Sequence, residues 1–112
     1  MSRTLPESDW KKFRLLHKSA LDRHCQETLS QIKRIIDDPG KDMHERYLAV
    51  FKLIQERDED VARMFNEMKR STAFVQLMMI RHKNLLTDEE FGQFSQETKD
   101  LITSWFQRNG AR

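Results

Sequence analysis

Glycine and proline are scarce in this sequence, with three of one and two of the other in 112 residues. A sheet protein of this size turns more often than five such residues allow, so strands are not expected. Cysteine is scarcer still. Cys25 stands alone and has no partner for an internal disulfide, so an oxidising compartment is not implied. No apolar run approaches the roughly 18 residues of a membrane span. Met1 to Trp10 carries neither an apolar core nor a cleavage site, so no signal peptide is expected. Together these absences point to a cytoplasmic protein without a membrane segment.

An excess of one charge is also missing. The chain carries 20 Lys and Arg against 18 Asp and Glu, a formal net charge of +2. The pI near 8.8 therefore brings almost no long-range field, and dedicated nucleic-acid binding usually shows a larger basic surplus. Charged residues make up 34% of the chain and hydrophobic ones 38%. Helices with one apolar stripe and a broad charged face have these proportions.

No internal repeat and no low-complexity tract interrupts the chain, and its length fits a single helical domain over 1–112. A first helix is predicted to start after Ser8 as N-cap, with Asp9 in the first turn complementing the dipole, and to run to about Ile36. Its stripe passes from Trp10, Phe13 and Leu16 through Ala20, Leu21 and Cys25 to Leu29, Ile32 and Ile36. Asp37-Asp38-Pro39-Gly40 ends it, because Pro39 disfavours helix at Asp38 and Gly40 turns the chain.

Asp42 and Glu45 have the spacing of a capping box. From there to Leu85 neither Gly nor Pro occurs. Tyr47, Phe51, Ile54, Asp58, Val61, Phe65, Met68, Thr72, Val75, Met79 and His82 step in fours and threes, a heptad-like seam with polar residues at Asp58, Thr72 and His82. Either Asp42–Leu85 is one helix or Asp58 or Asp60 caps a new one; continuity is the expectation, with Glu59 and Arg63 paired at i and i+4. Phe74, Leu77 and Met78 point away from the seam, so Ala73–Ile80 is apolar nearly all round and is expected at the centre of the structure. Further on, Thr87 and Glu90 form a second capping box before a short helix ending near Gly92. Ser95 caps a last helix with Leu101, Ile102, Trp105 and Phe106 on one face and Gly110 past its end.

Residues with chemical potential each have a plainer reading. His17 and His24, seven apart, lie about 10 Å apart along one helix, too far to share a metal without a second helix. No Glu has a His three residues on, the pattern of di-metal bundles, and His44-Glu45 lacks the second His of a zinc protease. Three scattered glycines cannot build a phosphate-cradling loop. Cys25 sits on the apolar stripe and His24 points about 100° away, so the thiol reads as core. Met64, Met68, Met78 and Met79 read as core filling. Lys11, Arg14 and Lys18 form a basic strip, read as solvated helix surface.

The expectation is thus an all-α, bundle-like protein: a long helical hairpin of two amphipathic helices with a short C-terminal helical lid. A continuous helix over Asp42–Leu85 would be about 65 Å long, against about 43 Å for the first helix. The uncovered apolar length calls for a second copy, most simply a two-fold dimer. No catalytic, cofactor-binding or metal-binding residue is assigned, and the chain is not expected to be an enzyme. Trp10, Phe13, Phe65, Phe74, Met78 and Trp105 are the candidate anchors of cores and interfaces. The function expected is a self-associating protein–protein interaction or regulatory module. A nucleic-acid-associated regulator using basic helix faces is one alternative. The other is a small helical enzyme or anion-binding protein, with Arg46, Arg57, Arg63 and Arg81 as candidate anion contacts.

Overall fold

The computed structural model describes residues 4–109. Helix makes up 78% of it, more than twice the usual third, and no strand occurs among the described residues. Five helices follow one another: α1 (Glu7–Ile36), α2 (Met43–Phe65), α3 (Arg70–His82), α4 (Asp88–Phe91) and α5 (Gln96–Arg108).

Helix α1 starts at Glu7, earlier than the Ser8 cap allows. Pro6, with φ −55° and ψ 155°, takes the N-cap place without a side-chain cap, and its carbonyl accepts from the Trp10 N–H at 2.9 Å. The fixed φ of proline suits a helix entry. Ser8 is therefore an exposed residue of the first turn. At the other end α1 stops at Ile36 as expected. The Asp38 carboxylate accepts from the Gly40 N–H at 2.9 Å, which tightens the turn. Asp42 then caps α2 in a reciprocal box with Glu45, at 2.8 and 2.9 Å.

The single helix expected over Asp42–Leu85 is in fact two. It breaks at 66–69, well past Asp58, where Asn66 is extended and Glu67 adopts φ 55°. Neither glycine nor proline is needed because side chains from elsewhere satisfy the carbonyls that a helix end leaves open. His17 Nε2 donates to the Phe65 carbonyl at 3.0 Å, and Gln76 Nε2 donates to that of Asn66 at 2.8 Å. Asp58 is neither a cap nor a buried seam residue; it is exposed in mid-α2. Its neighbour Asp60 is the buried carboxylate, paired with Arg63 and, at 3.7 Å, with Arg57. Arg63 thus serves Asp60 instead of the expected Glu59.

The break lets α3 fold back, and Ala73, Phe74, Leu77 and Ile80 are buried as expected, whereas Val75 is 55% exposed and Met78 and Met79 are half-buried, so the segment is covered on one side and not all round. Asn84, at φ 61°, closes α3 in a Schellman motif: Leu85 N–H donates to Ile80 O at 3.1 Å and Asn84 N–H to Arg81 O at 3.0 Å. Thr87 caps α4 through the expected box with Glu90, and Ser95 caps α5. Leu85, Leu86, Phe94 and Ile102 are all within the core. The C-terminal segment is therefore part of the packed centre as well as its cover. Gly110, expected beyond the last helix, lies outside the described residues.

Two polar links tie the C-terminal segment to α1. Arg23 grips Glu90 with two hydrogen bonds, 2.6 and 3.0 Å, and also donates to the Leu85 carbonyl at 2.9 Å. The guanidinium holds the Glu90 carboxyl down at about 2 against an opposing effect of burial, with help from the Thr87 N–H. Asp9 is the second link. It was expected only to complement the α1 dipole, yet it is buried and accepts from Ser95 N, Ser95 Oγ and Thr98 Oγ1 at 2.8, 2.6 and 2.6 Å. Burial pushes its carboxyl up, but these hydrogen bonds and nearby Lys12 outweigh burial and leave it below the ordinary value.

The molecule measures 51 × 28 × 28 Å with a radius of gyration of 16.6 Å. A compact chain of this length would have about 13 Å. The excess has a simple origin. Every buried residue lies before Cys25 or after Glu59. The first two-thirds of α1, the end of α2 and helices α3–α5 form a packed head. The rest of α1 and α2 projects from it as an arm.

Candidate interaction surface

Two histidines fasten α1 to α2 in the head and where the arm leaves it. His17 and His24 both face α2: His17 bonds the Phe65 carbonyl, and His24 Nε2 bonds the Arg57 carbonyl at 3.3 Å. A carbonyl only accepts, so each ring carries its proton on Nε2. The Phe65 ring lies between the two imidazoles, edge-on to His17 at 5.3 Å and tilted to His24 at 6.2 Å. These histidines are fasteners between helices. Among the described residues, no three His, Cys, Asp or Glu side chains gather as metal ligands would.

The opposite side of the arm is open and apolar. Leu29, Ile36, Met43, Tyr47, Phe51 and Ile54 are between 48 and 73% exposed. Two shallow grooves run along them and share Ile54. One, of about 430 Å³, is lined by residues including Ile36, Met43, Tyr47 and Phe51; the other, of about 290 Å³, by residues including Cys25, Leu29, Ile32 and Asp58. Cys25, expected in the core, is exposed here. The reason is that the α1 stripe serves two surroundings: up to Ala20 and Leu21 it faces the head, and from Cys25 to Ile36 it is at most half-covered.

Of the six anchors expected, Phe13, Phe65 and Phe74 are buried in the head and Trp10 and Met78 are packed half-buried against it. Trp105 is 36% exposed, at the edge of a groove of about 200 Å³ lined in part by Met64, Met78, Met79 and His82. None of the six is on the arm. Of its open face, Tyr47, Phe51 and Ile54 belong to the heptad-like seam and Leu29 and Ile36 to the first-helix stripe; Met43 is in neither. The basic strip of Lys11, Arg14 and Lys18 is exposed, as a solvated face would be, with Arg14 lying 5.2 Å over the Trp10 ring. Arg46, Arg57, Arg63 and Arg81 do not converge on one site. Arg57 and Arg63 pair with Asp60, Arg81 with Asp88, and Arg46 lies near the tip of the arm beside Met43.

No helix among the described residues is long and apolar enough to cross a membrane. The chain matches no protein-family model, no curated protein and no solved structure.

Proposed function

We propose that this protein is a helical interaction module whose hairpin arm associates with a second copy and whose activity is surface recognition without chemistry. The observation that carries the reading is the open apolar face shared by α1 and α2. Six large side chains about half exposed offer on the order of 700 Å², since each presents ~200 Å² when fully open. A stable interface buries about 800 Å² per partner, and isolated patches of this size on monomers are commonly functional. The break at 66–69 removes the helix of about 65 Å, and the open arm is the apolar surface that remains for a second copy.

Two substitutions test it. Phe51→Glu and Ile54→Glu place a carboxylate in the centre of the face without touching the head core. Light scattering after size exclusion is expected to find the native chain near twice 13.5 kDa and both variants at the monomer mass with unchanged helix content. Variants that keep the native mass would place association elsewhere.

A further inference from the structure

The open face has a spacing that fixes how two copies meet, given the self-association proposed above. On α1 the positions are Cys25, Leu29, Ile32 and Ile36; on α2 they are Tyr47, Phe51, Ile54 and Asp58. Both step four, three, four. That order reads the same in either direction, so an antiparallel copy meets each stripe in register. The midpoint of the α2 stripe lies between Phe51 and Ile54. The contact of His24 with Arg57 sets α1 against α2, and following it along the arm brings Leu29 level with that midpoint. The midpoint of the α1 stripe itself, between Leu29 and Ile32, differs by about half a turn, roughly 2 Å. Reversal doubles that offset to about 4 Å, so the two-fold axis that registers the α2 stripe passes at Leu29 and leaves the α1 stripe somewhat less than one turn out of its own register.

The geometry points to an antiparallel four-helix bundle formed by the arms of two copies, with Leu29 at the two-fold axis and Tyr47 of each copy facing Asp58 of the other. Charge decides between the two directions. In a parallel pair the two-fold axis runs along the arm and lays α1 of one copy over α2 of the other; the level set by His24 and Arg57 then brings Asp58 against the apolar Cys25 end of α1 in the other copy, where a carboxylate is unfavourable. In the antiparallel pair the Tyr47 hydroxyl donates to the partner's Asp58 carboxylate. A polar residue at such a position, satisfied in only one alignment, specifies register and direction. Asp58 is exposed and is not ion-paired with any other described residue, so it is available for this contact. Tyr47, 68% exposed, has its hydroxyl free to reach it.

Cross-linking tests the alignment. A disulfide needs Cα atoms within about 7 Å. Across the antiparallel axis the two Cys25 thiols are separated by roughly 12 Å or more along the helices alone, so the native dimer is expected to stay unlinked on mild oxidation. The Cys25→Ser/Leu29→Cys protein is expected to become a covalent dimer, seen on a non-reducing gel. Tyr47→Phe, on a face that does not support the head, is expected to weaken self-association at least tenfold with helix content unchanged. Ready cross-linking through native Cys25 would overturn the inference. So would a native dimer in which Leu29→Cys does not link, or in which Tyr47→Phe has no effect. A native chain that stays monomeric at every concentration would instead remove the self-association on which the inference rests.

Discussion

Asp9 and Ser95 are 86 residues apart in sequence, and the buried carboxylate of the first accepts both the backbone N–H and the hydroxyl of the second. Ser95 is the N-cap of α5, so one group from the start of α1 fixes the start of α5. The carboxylate also meets the positive end of that helix. Asp9→Ala would leave these donors buried without an acceptor. It is expected to cost about 2–3 kcal/mol in urea unfolding, the range for orphaned buried groups, with charge-assisted bonds at the upper end. Ser8→Ala, one oxygen atom of difference on the exposed first turn, is expected to cost nothing measurable.

Acid should weaken the head through Glu90. Its carboxyl lies at about 2 in the folded chain against an ordinary 4.5. A lowered folded value means stabilisation that is complete above about pH 5 and fades as pH falls through the window from 4.5 to about 2. The full shift would correspond to roughly 3 kcal/mol. Arg23 is 36% exposed, and solvent screening reduces the expected loss to about 1–2 kcal/mol. Asp9, also lowered, adds to the loss in the same direction below its ordinary value of 3.8. Glu90→Gln measured across pH 2–6 should flatten most of this dependence; an unchanged slope would show that the Arg23 contact contributes little.

The break at 66–69 stores strain at Glu67. A residue other than glycine in the left-handed region costs about 1 kcal/mol, and Glu67 has an exposed ion pair with Lys69 at 3.5 Å and a hydrogen bond from Thr72 Oγ1 to its carbonyl at 3.3 Å to set against it. Glu67→Gly is expected to raise stability by about 0.5–1 kcal/mol in thermal unfolding. His17→Ala, which removes the donor to the Phe65 carbonyl and the edge contact with its ring, is expected to lose about 1–3 kcal/mol. A neutral His17→Ala would mean that the helix end is served by water.

Much of the fold was legible in residues a few positions apart. The Asp42–Glu45 and Thr87–Glu90 boxes, the Ser95 cap and the end of α1 at Ile36 are local signals and occur where the spacing places them. The all-round apolar pattern of Ala73–Ile80 likewise marks the centre of the head. What could not be read was whatever depends on a distant side chain. The end of α2 is made by His17 and Gln76, which no window around Asn66 contains. Asp9 looks like a dipole residue until Ser95 and Thr98 arrive. The stripe from Trp10 to Ile36 announces apolar contact, but not that its second half is at most half-covered within the described chain, which is why Cys25 is exposed and not core. The same limit applied to the candidate surface: the seam of Tyr47, Phe51, Ile54 and Asp58 was visible, and its emptiness was not.

Sedimentation equilibrium of the native chain from low to high micromolar concentration tests the role of the arm most directly. The open α1–α2 face predicts a mass that rises with concentration from 13.5 kDa towards twice that value and stops there, since a two-fold pair leaves no arm unpaired. A mass constant at 13.5 kDa over the whole range, with the helix content of the folded chain, would contradict it.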